Sequence, residues 1–448
     1  MAMIKPCNRA YVPQSTVLLA RRKAEIRFGR GIKYLRQMSG REKWLSLKYK
    51  HLFLIKRRKM LEKYAEKYRS DLKNSVIPFW LKNSLDKEYG GYFTCLDRYG
   101  KVYDPKKYMW LEGRQVWMFS RLYNEFEKKQ EYLDAAKLGL DFIRKYGRDS
   151  KGRVYFSLTR EGKPYFFQRK VYGAVFFMMG LLEYSKATGD KTCFDESVDL
   201  FWKITKWIDD PSLLDRPAFE GNPPSSSLAD VMVLASMAIE LMRVKDDPRY
   251  REMLQKAMDG VVKHFEPKRK ILIERVPLSG ADISDWPEGR FFNPGHSIEV
   301  AWFLLHMLEI IPNPKLQKMA FDVMEGSLEL GWDKEFGGLY YFMDIEGRPT
   351  LQLESNMKLW WPHTEAMYAT VLAYTMTKDA KWEKWLEKID SYAYKHFVDP
   401  EYGEWFGYCD RRGELALESK GGNYKGCFHV PRALLMCVQR IEAANAKK

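Results

Sequence analysis

Asp86-Lys-Glu-Tyr-Gly-Gly-Tyr-Phe93, Asp333-Lys-Glu-Phe-Gly-Gly-Leu-Tyr340 and Asp399-Pro-Glu-Tyr-Gly-Glu-Trp-Phe406 share one signature: an acidic residue, a turn, glycine, then aromatic alternation. Asp149-Ser-Lys-Gly-Arg-Val-Tyr-Phe156 is a weaker copy, and residues 266–273 hold a still more degenerate one. The spacings are 63 residues from Asp86 to Asp149, 184 from Asp149 to Asp333 and 66 from Asp333 to Asp399. Since 184 residues make about three units of about 61, the chain repeats every sixty-odd residues.

Between these turns lie paired helical patterns, with apolar residues at helical spacing. Glu112–Phe126 precedes Glu131–Tyr146, and further pairs fall at 171–187 with 192–208, 227–243 with 248–264, 296–310 with 315–330, and 363–377 with 381–396. A leading helix near 60–83 and a closing one near 428–443 bring the number to twelve. An open stack of such units would need a polar outer face at its end. The last pattern instead carries Ala433, Leu434, Leu435, Cys437 and Val438. We therefore expect an all-α closed toroid of six helical hairpins, an (α/α)6 barrel. The links entering the first helix of each pair are long and aromatic, as at Tyr340, Tyr341 and Phe342, whereas the links within pairs are short. That asymmetry places long β-like loops on one rim, where a binding site is expected.

The composition suits a large core: 46% of residues are hydrophobic, 15% aromatic and 30% charged, which excludes a disordered or fibrous chain. The net charge of +16 is confined to one end. Residues 1–60 hold 17 Lys/Arg against Glu25 and Glu42, leaving 58 basic and 57 acidic residues over 61–448. A nearly neutral body gives no nucleic-acid signal. We divide the chain into a basic extension, 1–59, and a barrel domain, 60–448. The Arg/Lys-rich, acid-poor extension is compatible with mitochondrial targeting, although a solvated extension is the preferred reading. The apolar run Val171–Leu182 has 12 residues, too short to span a bilayer, so no membrane partner is expected. Six cysteines without a Cys-x-x-Cys pair suit reduced thiols and a cytoplasmic location.

Four segments carry chemistry. In Phe292-Asn-Pro-Gly-His-Ser-Ile-Glu299, His296 and Glu299 lie three apart on one helical face, where a carboxylate can tune an imidazole. In Lys358-Leu-Trp-Trp-Pro-His-Thr-Glu-Ala-Met-Tyr368, Trp361, Glu365 and Tyr368 form one stripe. His363 turns away from Glu365 on a regular helix and joins it only if the proline start is irregular. His429 stands at the mouth of the last helix after a glycine-rich approach that matches no phosphate-binding loop. Arg114 and Trp117 share a face of the first paired helix, a cation beside an aromatic platform. A carboxylate pair would also serve glycoside hydrolysis. Two helix-start histidines beside an arginine favour proton transfer next to a sugar carbonyl, since imidazole titrates at about 6.5. Metal binding is disfavoured, because His296, Glu299, His363, Glu365 and His429 form no His-Glu-x-x-His pattern.

The sequence resembles the N-acylglucosamine 2-epimerase family from about Met60 to its end. The resemblance rests on Asn293-Pro-Gly-His-Ser-Ile-Glu299, Met357-Lys-Leu-Trp-Trp-Pro-His-Thr-Glu-Ala-Met367, Tyr402-Gly-Glu-Trp-Phe-Gly-Tyr408 and Lys425-Gly-Cys-Phe-His-Val-Pro-Arg432. It implies a six-hairpin α/α barrel interconverting N-acetylglucosamine and N-acetylmannosamine through an enediolate-type intermediate. His296 and His429 would be the acid/base pair, assisted by Glu299 and Glu365, with Arg114 as the arginine of the cavity. Trp117, Trp361, His363 and Tyr368 are carried as substrate contacts. The resemblance further implies a homodimer, ATP or another nucleotide as activator with no cofactor needed for the chemistry, and renin binding in animal relatives. The alternatives are a neutral-sugar 2-epimerase or aldose–ketose isomerase on the same fold, and a non-enzymatic renin-binding scaffold.

Overall fold

The helix pairs differ in how their apolar residues are distributed, and that difference decides how the chain winds. A computed structural model of the chain describes residues 61–446 apart from 218 and 223. The basic extension 1–59 lies outside the described residues. From Lys63 onward the chain forms one compact unit.

Twelve long helices are present among the described residues. The leading helix, α1, covers residues 61–83 with a π-helical turn at Leu72–Val76. Five pairs follow. They are α2 (Met109–Glu125) with α3 (Gln130–Tyr146), α4 (Tyr172–Thr188) with α5 (Lys191–Asp209), α6 (Leu228–Val244) with α7 (Pro248–Lys263), α8 (Pro294–Ile310) with α9 (Pro314–Gly331), and α10 (Trp360–Thr377) with α11 (Ala380–His396). The closing helix, α12, is His429–Ala446. All twelve expected helices form, and six hairpins result when α12 joins α1.

The even-numbered helices line the inside of the ring. Every residue of α10 from Trp360 to Tyr374 is buried. The odd-numbered partners are amphipathic: α11 buries Trp382, Leu386, Ile389, Asp390, Tyr392 and Ala393, a stripe at helical spacing, and turns its remaining residues outward. Close approach between inner helices is required where no side chain fits. A Cβ on Gly113 of α2 would stand 2.4 Å from the backbone carbonyl carbon of Phe176 in α4.

Short antiparallel strands join four of the rim loops to their successors. Lys107–Tyr108 pairs with Ser157–Leu158, Ser225–Ser227 with Arg275–Pro277, Phe291–Phe292 with Met343–Asp344, and Lys358–Leu359 with Tyr408–Cys409. The last loop meets the first, where the Lys420 N–H donates to the Leu96 carbonyl at 2.9 Å. The β-like aromatic rim expected from the sequence is therefore a circumferential belt.

The acidic residue of the repeat signature is a clamp. Asp86, Asp333 and Asp399 are each about 1% exposed and accept backbone N–H groups of their own turns. Each also receives a fully buried lysine: Lys107 at 3.0 Å, Lys358 at 3.1 Å and Lys420 at 2.9 Å respectively. An arginine from the next loop around the ring completes each clamp, Arg160 on Asp86 at 2.9 Å and Arg411 on Asp333 at 3.1 Å. For Asp399 that arginine is Arg98, 2.8 Å away in the first loop. The rule "next loop" holds only on a closed ring. Glu404 reinforces the same seam. It occupies a left-handed conformation (φ 53°) where the other two full copies of the signature have glycine, and its carboxylate accepts from Trp80 Nε1 at 2.6 Å and Lys425 Nζ at 2.7 Å.

The clamps make stability depend on acid. Burial opposes ionisation of Asp86, but hydrogen bonds from Arg160 and Lys107 outweigh it and hold the carboxyl down at about 2. Asp333 and Asp399 are held lower still against burial, Asp333 by its turn N–H groups and partners, Asp399 by Arg98 and Lys420. A depressed folded-state value means stabilisation that is complete above the unfolded value of about 3.9 and disappears as pH falls through the folded value. Thermal melts followed by circular dichroism should therefore show Asp399→Asn well below wild type at neutral pH. The gap should close from about pH 4 downward. A gap unchanged in acid would show that the Asp399 charge contributes nothing.

Among the described residues no helix is long and apolar enough to cross a membrane. The five cysteines among them are buried and free.

Candidate active site

The within-pair turns end in capping residues: Asp190, Asp247, Asn313 and Asp379 accept backbone N–H groups at the starts of α5, α7, α9 and α11. The inner helices α2, α4, α6 and α10 have no side-chain cap. Their positive N-terminal ends open toward the loop rim, an electrostatic setting that favours an anion. Arg114, His296, Glu299, Trp361, Glu365, His429 and Arg432 all stand within the first two turns of inner helices.

His296 is the third residue of α8, its N–H capped by the Asn293 side chain at 3.0 Å. Its Nδ1 donates to Glu274 Oε1 at 2.9 Å. His429 opens α12, and its Nδ1 donates to Glu365 Oε1 at 2.7 Å. In both rings the carboxylate sets the tautomer and leaves Nε2 without a protein partner among the described residues. The Trp361 ring packs near both, 5.1 Å from the His296 ring and 5.7 Å from the His429 ring. Gly295 makes room for it, since a Cβ there would stand 2.5 Å from the indole.

Arg432, one turn after His429, unites the two glutamates. Its Nη2 donates to Glu299 Oε1 and Glu365 Oε1, both at 2.6 Å, and Trp302 Nε1 donates to the other oxygen of Glu365 at 3.1 Å. Glu299, Glu365 and His429 also form a group of metal-ligand type, with donor atoms within 4.8 Å of one another. The Arg432 guanidinium already pairs with both Glu299 and Glu365.

Arg114 sits on the opposite side, its guanidinium 4.1 Å from the Phe176 ring, 4.4 Å from Trp110 and 4.6 Å from Phe428. It makes no ion pair among the described residues, and its Nε is buried without a partner, as is Nε1 of Trp117. Burial, then the charge of Arg432, bring Arg114 down to about 9. It is a cation in want of an anion.

The two imidazoles are driven apart. Burial lowers the proton affinity of both. For His296 the Glu274 carboxylate and its hydrogen bond more than reverse this, and the net shift is upward. For His429 burial is reinforced by Arg114 and Arg432, and the net shift is strongly downward. The two imidazoles thus shift in opposite directions from one starting value.

Of the sequence candidates, the fold brings His296, Glu299, Trp361, Glu365, His429, Arg114 and Trp117 to one end of the ring. Two candidates are corrected. His363 is wholly buried behind the rim, where its Nδ1 donates to the Leu359 carbonyl at 2.6 Å and its Nε2 accepts from the Leu339 N–H at 2.9 Å. Burial takes it down to about 3, so it is a neutral structural tie with no nitrogen left for a sugar. The helix start is regular, and His363 turns away from Glu365. Tyr368 lies a turn deeper, its hydroxyl 2.8 Å from His306 Nε2 and its ring against Trp302, so it supports the site from below.

Three residues escaped the sequence reading. Arg432 and Trp302 carried a signal, standing three residues after His429 and Glu299 on the same helix faces. Glu274 carried none, since only the tertiary fold brings its loop beside His296.

Over residues 91–433 the sequence matches the family described as N-acylglucosamine 2-epimerase (GlcNAc 2-epimerase). Relatives named N-acylglucosamine 2-epimerase include the mouse protein, 40% identical over 87% of this chain and 94% of that one, and the human protein, 38% identical over 87% and 92%. Among solved structures, cellobiose 2-epimerase from Bacillus thermoamylovorans superposes with a TM-score of 0.74 over 85% of this chain and 100% of that one. Its 24% identity shows the fold alone. By sequence match and by architecture, the chain belongs to the N-acylglucosamine 2-epimerase family of sugar isomerases.

Proposed function

We propose that the chain interconverts N-acetylglucosamine and N-acetylmannosamine by two-base proton transfer at C2. The carrying observation is the pair of oppositely tuned imidazoles that share Trp361 as a neighbour. The mouse and human relatives of that name support the substrate.

The C2 proton of a hexose is acidic only beside a free carbonyl, so the ring must open first. Opening moves the anomeric hydroxyl proton to the ring oxygen with no net gain or loss, one imidazole taking it up and handing it on, so the pair enters the C2 step in its starting protonation state. Neutral His429 then removes the C2 proton from one face through Nε2, leaving an enediolate. Arg114 and the uncapped helix ends stabilise the oxygen on which charge develops. Protonated His296 returns a proton to C2 from the other face, and the roles exchange in the reverse direction. Glu365, fixed by Arg432 and Trp302, orients His429, while Trp361 offers the sugar a platform. The unpartnered Nε1 of Trp117 is a hydrogen-bond donor for substrate.

The test is NMR of the purified protein with N-acetylmannosamine in heavy water. N-acetylglucosamine carrying deuterium at C2 is expected. Turnover of mannose or cellobiose without that product would overturn the substrate and leave the fold standing. The family resemblance also supports a homodimer, activation by ATP or another nucleotide, renin as a partner and a cytoplasmic location. Light scattering, assays with and without ATP, pull-down with purified renin and cell fractionation check these in turn.

A further inference from the structure

The two histidines differ in more than proton affinity. His429 is sealed: its side chain is 9% exposed and that of its partner Glu365 is 1% exposed. Both oxygens of Glu365 are committed, one to His429 and Arg432, the other to Trp302. His296 is more open, with 25% of its side chain exposed and 11% of that of Glu274. Only one oxygen of Glu274 is engaged by protein among the described residues, that bonded to His296. The ring of His296 is thus open to water to a degree that the ring of His429 is not.

We propose that Glu274 is a positioning residue whose charge makes His296 the proton-carrying member of the pair, and that the more open His296 exchanges its proton with solvent faster than the sealed His429. The inference rests on the two-base reading above. The groups facing His296 are Glu274 from the preceding loop, Glu299 on its own helix, Arg114 from α2, His429 from α12 and the Trp361 ring from α10. Tyr172, His264 and Tyr341 stand around Glu274. Of these, Glu274 alone combines a charge with a hydrogen bond to the ring.

Chemically, each half-reaction moves one proton from C2 to an imidazole Nε2 and leaves the electron pair in the enediolate. If that proton exchanges before it returns, recovered substrate gains deuterium; if it is sealed in, recovered substrate keeps protium. In heavy water, the epimer whose C2 proton faces His296 should therefore accumulate deuterium in the unconverted pool. The epimer whose C2 proton faces His429 should accumulate less.

The experiment runs wild type from each epimer separately and reads deuterium in unconverted substrate by mass spectrometry at low conversion. Unequal labelling is expected, and equal labelling from both epimers with normal conversion would overturn this inference alone. No C2 labelling in either epimer or in product would sink the two-base reading itself. In Glu274→Gln, the hydrogen bond survives but the charge does not. The alkaline limb of the kcat profile should move acidward by at least about one pH unit, with KM little changed. Glu274→Asp should restore it in part. A Glu274→Gln profile that overlays wild type would overturn the assignment, as a purely structural role would alter stability and leave the limb in place. Should the variant fail to fold, the wild-type labelling comparison still decides.

Discussion

Replacing His429 with Asn should lower kcat in both directions by about 10²- to 10⁴-fold, the range in which a positioned acid/base group contributes. The substitution is chosen for what it preserves. The Asn amide can still donate toward Glu365, which keeps the Glu299–Arg432–Glu365 bridge intact. It has no basic nitrogen at the position of Nε2, so the C2 proton has no acceptor on that face. Binding should suffer less than turnover, because Trp361, Arg114 and Trp117 remain. The measurement is kcat and KM for each epimer by NMR, with a thermal melt to establish that the fold survives. A near-normal kcat in a folded variant would remove His429 from the chemistry. Under the proposed exchange asymmetry, residual C2 labelling in this variant should come only from the epimer facing His296.

Arg432→Met should be the most damaging single change to the site as a structure. Arg432 is 6% exposed and makes 2.6 Å contacts with two carboxylates whose side chains are 6% and 1% exposed. Methionine fills much of its volume and carries no charge, so Glu299 and Glu365 would face each other in a buried setting. Breaking a buried pair from one side typically costs about 3–5 kcal/mol. The sign of the pH dependence follows. Carboxylates buried without a counter-charge have raised folded-state values, so protonation favours the folded variant and the deficit should shrink as pH falls. This is the same direction as at the rim clamps, with a different origin: there wild type loses a contribution in acid, here the variant recovers one. Chemical denaturation at mildly alkaline and mildly acidic pH would measure it. A deficit independent of pH would mean that packing, rather than charge, accounts for the loss. Activity should also fall, since an unanchored Glu365 no longer fixes the His429 tautomer.

Much of the fold was legible because it is repeated. Each unit carries the same alternation of an aromatic turn, a mostly apolar helix and an amphipathic helix, and errors in one copy are corrected by the others. The helix boundaries read from periodicity lie within about three residues of those observed. The clamp aspartates were visible as a signature, but their partners were not, because Arg98 and Asp399 lie 301 residues apart and meet only through ring closure. The site was legible where chemistry and helix geometry coincide, as at His296 with Glu299 and at Trp361 with Glu365. It misled where a histidine beside a glutamate satisfied both nitrogens on backbone. The local warning was the place of His363 two residues from Glu365, which turns it away on a regular helix.

The sequence by itself determined the repeat, the twelve helices, the closed architecture and the residue types gathered at one rim. These follow from short-range periodicity and from the need to bury apolar faces, both written along the chain. Tertiary structure alone decided which ionisable groups share a low-dielectric site, and therefore which are charged. Glu274 beside His296, and Arg432 with Arg114 beside His429, shift two chemically identical imidazoles in opposite directions. Electrostatic interaction depends on distance and burial in space, quantities that positions 22, 3 and 315 residues away along a chain do not specify.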